Sequence, residues 1–115
     1  MDEKFWSALE QLVREHELVI DRPCGSAHPR FPEFIYPVDY GYLQGTKSMD
    51  CGGIDVWRGT ADTGIDAIIV IVDLLKKDSE IKILLNCSAE EKQRILAVQN
   101  IGVMSALLVN RETDK

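Results

Sequence analysis

Apolar positions recur with a helical period at the start of the chain. Phe5, Leu9, Leu12, Val13 and His16 share one face between about Asp2 and Glu17, with Glu3, Lys4, Glu10 and Arg14 elsewhere. That spacing predicts an amphipathic helix. His16 on its apolar face reads as a packed histidine rather than a ligand. The pattern then changes. Leu18-Val19-Ile20-Asp21 is a short strand stopped by Arg22-Pro23. Cys24-Gly25-Ser26 is a turn, and Ala27 to Pro32, with its prolines, is irregular. Phe34-Ile35-Tyr36 leads into a brief alternation at Tyr40-Gly41-Tyr42. Ile54 to Trp57 predicts a strand and Ala61 to Gly64 a turn. Ile65 to Leu75 is an apolar run rich in β-branched residues, broken by Asp66 and Asp73, and most of it predicts a buried strand. Lys76-Lys77-Asp78-Ser79 is a polar turn, after which Glu80 and Lys82 alternate with Ile81 and Ile83 up to Leu85 and complete a hairpin. Ser88 with Glu91 forms a capping box for a helix reaching about Asn100. Val103 to Val109 predicts a last strand, and Asn110 to Lys115 a frayed tail.

A chain of 115 residues supports one domain around one modest core, so residues 1–115 are expected to fold as a single unit. The net charge of −6 argues against a nucleic-acid footprint, which needs a basic patch. It leaves room for a phosphate ligand, because bound cations reverse the sign of a local acidic site. The longest apolar run, Ala67 to Val72, is too short to cross a bilayer. The acidic start lacks the pattern of a signal peptide. Cys24, Cys51 and Cys87, odd in number and widely spaced, fit a reducing cytoplasm better than a disulfide framework.

The chemistry concentrates between Tyr36 and Asp55, a stretch with three tyrosines, three aspartates and four glycines. Asp50 and Asp55 flank Gly52-Gly53, and paired aspartates on a tight glycine turn suit a hard cation such as Mg²⁺. Asp73 and Asp78 repeat the same spacing. Four carboxylates meeting at one end of a small β-structure would raise one another's pKa unless cations lay between them. Each aspartate also has a plainer reading as a turn or strand-end residue. Tyr36, Tyr40 and Tyr42 are equally readable as core aromatics, Arg30 as a surface cation and Lys76-Lys77 as a solvated turn. A zinc site from Cys24, His28 and Cys51 lacks any paired-cysteine spacing.

Tyr36-Pro37-Val38-Asp39-Tyr40-Gly41-Tyr42 followed by Asp50-Cys51-Gly52-Gly53-Ile54-Asp55-Val56 resembles the signature region of the soluble family I inorganic pyrophosphatases. The resemblance covers roughly Val19 to Leu85. It implies a mainly β (α+β) fold: a small OB-like five-stranded β-barrel with an N-terminal helix and a second packed helix. It implies Mg²⁺-dependent hydrolysis of pyrophosphate to two phosphates by a metal-activated water. The implied metal ligands are Asp21, Asp50, Asp55, Asp73 and Asp78; the implied catalytic residues are Asp55 and Tyr40; and Arg30, Tyr40 and Lys82 would bind substrate. A homo-oligomer in the cytoplasm, with no nucleic-acid or membrane partner, is expected. Three departures count against full activity. Gly52 stands where the family has the middle aspartate of Asp-Gly-Asp-Pro-x-Asp, and loss of a general base removes ~10²–10⁴ of rate. A hairpin before the tyrosine segment is missing, so Arg30 stands for one of two family cations. The chain also ends without the family's C-terminal Tyr-Lys clamp. Apart from these three, Glu80 falls at a family lysine position, leaving Lys82 to substitute. The alternatives are a catalytically degenerate relative that binds a divalent metal or a phosphorylated ligand, or a hydrolase of another phosphoanhydride.

Overall fold

A computed structural model describes residues 2–112. Its elements are α1 (Glu3–Glu15), β1 (Leu18–Arg22), β2 (Asp39–Leu43), β3 (Ile54–Arg58), β4 (Ile65–Asp73), β5 (Asp78–Leu85), α2 (Ala89–Val98) and β6 (Met104–Asn110). The end of the expected tail, residues 113–115, lies outside the described residues. The strands form one six-stranded sheet in the order β1-β2-β3-β5-β4-β6. Only β3 and β5 run parallel; the other neighbours are antiparallel.

The apolar character of β4 has a direct cause. It lies between β5 and β6 and its first half is covered on both faces, so Ile65, Ala67, Ile68 and Ile69 are all buried, while Val72 near its end is exposed. A bulge between Ile65 and Ala67 changes the phase. Ile65 and Ile68 then face the core made with Trp6, Leu9, Leu43, Val56 and Ile83 under α1. Ala67, Ile69 and Ile71 face the second core with Trp57, Leu84 and Ile95, the last from α2.

The mainly β architecture with two helices agrees with expectation, but the five-stranded closed barrel is corrected to an open sheet of six strands. A barrel in this order would have to join β1 to the far edge of β4. That edge is already occupied by β6, the strand from the last apolar segment. The outer edge of β6 is itself blunted: the Asn100 side chain accepts from the Ala106 N–H at 2.9 Å and donates to the Ala106 carbonyl at 3.3 Å.

In α1 the buried residues are Trp6, 3% exposed, and Leu9, whereas Phe5, expected on the core face, is 42% exposed. The larger indole takes the core, and the Arg111 guanidinium lies over it at 5.9 Å while bonding Glu3 and Glu10. His16 is tied to the Leu12 carbonyl oxygen through Nδ1 at 2.8 Å. The Ser88–Glu91 capping box forms as expected. Glu91 also accepts from the Thr60 N–H and hydroxyl, pinning the loop after β3 to the start of α2. Burial works to raise the Glu91 carboxyl, but these hydrogen bonds outweigh it and hold the group below its ordinary value.

Gly41 is required by the β1–β2 pairing. A Cβ at that position would lie 1.8 Å from the Val19 carbonyl oxygen. The same pairing is irregular between Ile20 and Arg22, which turns Asp21 and Arg22 toward the site described next.

Candidate functional site

Strand alternation and the parallel β3–β5 register build the site. Trp57 pairs with Leu84, and both belong to the α2-side core. Two residues back on each parallel strand, Asp55 and Lys82 therefore come up side by side on that same face. Glu80, two residues before Lys82, shares that face at the same period. Tyr40 pairs with Trp57 across the antiparallel β2–β3 ladder and packs on it at 4.5 Å between ring centroids. Tyr36 adds a ring 5.3 Å from Tyr40.

Asp50 arrives from the turn before β3. Its Oδ1 accepts from the Ser48 hydroxyl at 2.5 Å and from the Gly52 N–H at 3.0 Å. Cys51 takes a left-handed backbone, φ 68°, to close that turn. Asp50 thus caps its own turn and also points at the two strand carboxylates. Ligand oxygens of Asp50, Asp55 and Glu80 all lie within 4.8 Å of one another. Among the described residues no other group of acidic, histidine or cysteine side chains converges in this way.

Lys82 sits against the cluster. Its Nζ is 2.5 Å from the Tyr40 Oη, 3.4 Å from Glu80 Oε1 and 3.5 Å from Asp55 Oδ2. It is also 4.9 Å from the Tyr40 ring centroid. Burial pushes the Glu80 carboxyl above its ordinary value; Lys82 pulls it back, and Asp55 and Asp50 add to the rise. Burial, then the Asp55 charge, raises the Tyr40 hydroxyl well above 10, so at neutral pH it is a phenol with a proton to donate. Hydrogen bonds from Ser48 and the Gly52 N–H hold Asp50 low.

These groups border a cavity of about 250 Å³. Asp21 adds a further carboxylate to its lining, and Arg22, His28 and Lys76 join Lys82 as its basic side chains. His28 accepts the Arg30 and Phe31 backbone N–H groups at Nδ1, at 3.0 and 3.3 Å. Burial first, then Arg22, Arg30 and Lys76, lower its pKa, so the neutral ring is favoured.

The sequence-based candidates divide into two sets. Asp50, Asp55, Tyr40 and Lys82 meet, and Asp21 lines the same cavity outside the three-carboxylate group. Arg30 does not line the cavity; its exposed side chain leaves the cationic positions to Arg22 and Lys76. Asp73 and Asp78 are absent from both the lining and the cluster. They face each other across the base of the β4–β5 hairpin, and Asp73 accepts the Leu75 and Lys76 N–H groups at 2.9 and 3.0 Å. In that position Asp73 fixes the segment that carries Lys76. Asp39 is held by the Cys24 N–H and by Arg58, at 2.9 and 3.0 Å, so it does not stand in for the aspartate missing at Gly52. The site candidates read from the sequence do not include Glu80, Arg22, Lys76 or His28, which line the cavity. The shared face of Glu80 and Lys82 was the one available signal.

Asp50, Asp55 and Glu80 are able to hold a metal ion. Their donors are hard oxygens, and among the described residues Lys82 is the one cation paired within 4 Å with any of the three. One ammonium against three carboxylates leaves a deficit of two positive charges, the charge of one divalent ion. The chain matches no known family model, no curated protein and no solved structure.

Proposed function

We propose that this chain hydrolyses inorganic pyrophosphate with the help of Mg²⁺. The observation that carries the reading is the convergence of Asp50, Asp55 and Glu80 beside the Lys82–Tyr40 pair in one polar cavity. All-oxygen donors suit Mg²⁺, as they also suit Ca²⁺ and Mn²⁺. The sequence resemblance to family I pyrophosphatases supports the same reading. The mainly β architecture with two helices is compatible with it.

Asp50, Asp55 and Glu80 would hold the ion, which when bound supplies positive charge to phosphate oxygens and lowers the pKa of a bound water. Asp55 would accept the proton that water gives up. Lys82 donates to a non-bridging oxygen, and the neutral Tyr40 phenol donates to another as charge develops there. Arg22 and Lys76 hold the far phosphate. The reading includes a cytoplasmic homo-oligomer. Exposed Phe5, Met49, Val72, Ile81 and Leu107, which line one groove along α1, offer surface for a second copy to cover. No helix among the described residues is long and apolar enough to cross a membrane.

A second reading, a metal or phosphate binder without turnover, is favoured by Gly52 and by the distance of Asp73 and Asp78 from the cluster. Calorimetric titration with Mg²⁺, paired with phosphate release from pyrophosphate, separates the two. Binding with release supports hydrolysis; binding without release assigns the binder; no binding of either ion or pyrophosphate removes both.

A further inference from the structure

The polar cavity does not end at its own rim. A groove of about 380 Å³ lies beside it, lined by Phe31, Glu33, Phe34, Leu75, Ile101, Gly102 and Val103. Phe34 is a wall of both spaces. Two further segments contribute neighbours to each: Leu75 to the groove and Lys76 to the cavity, Val103 to the groove and Met104 to the cavity. Phe34 and Met104 pack against the α2-side core with Tyr40, so groove and cavity lie on one side of the sheet. Phe31 is 58% and Leu75 80% exposed, so apolar surface borders the ionic site directly.

We propose that the preferred ligand is a diphosphate ester of an aliphatic chain, with the diphosphate in the cavity and the chain in the groove. The inference rests on reading the cavity as a phosphate site. Inorganic pyrophosphate would leave the groove empty. A nucleotide would bring base edges that need hydrogen-bond partners, and the groove's one polar side chain is Glu33. An aliphatic chain needs only apolar contact, which Phe31, Phe34, Leu75, Ile101 and Val103 supply. Water attack on the terminal phosphorus would break the P–O–P bond, the bridging oxygen leaving with the alkyl monophosphate and the water proton passing to solvent by way of Asp55.

The test is equilibrium binding, with Mg²⁺ present, of methylene-bridged analogues that cannot turn over: methylenediphosphonate, its geranyl ester and the corresponding ADP analogue. Each CH₂ buried contributes about fourfold in affinity, so the geranyl ester should bind at least about tenfold tighter than methylenediphosphonate. The double variant Leu75→Ser/Val103→Ser changes exposed positions outside the cavity. It should abolish that gain and leave methylenediphosphonate binding unchanged. Equal or weaker binding of the geranyl ester overturns the inference, as does tighter binding of the ADP analogue. A gain that persists in the double variant places the chain elsewhere, for instance along α1, and also overturns it. If methylenediphosphonate itself fails to bind, the phosphate reading of the cavity falls first and the inference with it.

Discussion

The Lys82 ammonium lies 2.5 Å from the hydroxyl oxygen of Tyr40, a hydrogen bond between β5 and β2 that bridges over β3. Among the described residues it fixes the one cation paired with Asp55 and Glu80, and it leaves the phenol proton to a second acceptor. Tyr40→Phe keeps the ring on Trp57 and Tyr36 but removes that oxygen. We expect a stability loss of ~1 kcal/mol in urea denaturation and phosphate release lower by about 10²-fold. Unchanged release would remove Tyr40 from the site.

Glu80 and Asp50 respond to pH with opposite sign. The folded-state pKa of Glu80 lies above the ordinary 4.5, so its contribution is fully present below that value and is lost as pH rises through the folded pKa. Asp50 lies below the ordinary 3.8, so its contribution is present above that value and is lost as pH falls through the folded pKa. Glu80→Gln removes the charged form that burial disfavours. In EDTA near neutral pH the variant should melt at a higher temperature than the parent, with the difference vanishing toward pH 4. Adding Mg²⁺ should stabilise the parent and not the variant. A parent that gains nothing from Mg²⁺ would argue against an ion at this cluster.

Gly41→Ala tests how the site's first strand is attached. The new Cβ meets the Val19 carbonyl oxygen at 1.8 Å, and backbone on backbone has no flexible atom to yield. β1 must shift or detach, at a cost of about 3 kcal/mol or more. Hydrogen exchange should show lost protection in β1 before β4. Near-parental stability would mean β1 pairs differently.

Gly52→Asp restores a carboxylate at the position where the pyrophosphatase signature has one. A Cβ there meets only the Asp50 carboxylate, its Oδ1 at 3.2 Å, a side-chain contact able to give way. We expect tighter Mg²⁺ binding and a rise in phosphate release of up to ~10²-fold, the low end of a general base's usual contribution. Weaker Mg²⁺ binding would show that the turn places residue 52 away from the ion.

The period of the chain made the helices, β4 and the β4–β5 hairpin legible, because each buries a face of fixed spacing. Closure was not legible: whether β4's outer edge receives β1 or β6 is a long-range competition that local pattern does not record. Asp50 and Asp55 stood out because a glycine turn and an adjacent strand bring both to one end of the sheet. The equal spacing of Asp73 and Asp78 carried no such information. Across a tight hairpin, that spacing makes the two residues a terminal cross-strand pair, and the Asp73 side chain serves the turn. Glu80 was hidden by its own neighbours, since alternating Glu80 and Lys82 also describes an ordinary solvated strand face. Arg22 and Lys76 enter through a bulge and a turn, features set by β1–β2 crossing and by Asp73 capping rather than by local sequence pattern.

The most direct test of a metal-dependent site at Asp50, Asp55 and Glu80 is phosphate release from pyrophosphate in Mg²⁺ and in EDTA, for the parent, Asp55→Asn, Glu80→Gln and Asp73→Asn. The account predicts release that requires Mg²⁺, is lost in Asp55→Asn and Glu80→Gln, and survives in Asp73→Asn with the fold intact. Release that is insensitive to EDTA, or that survives Asp55→Asn and Glu80→Gln, would contradict it.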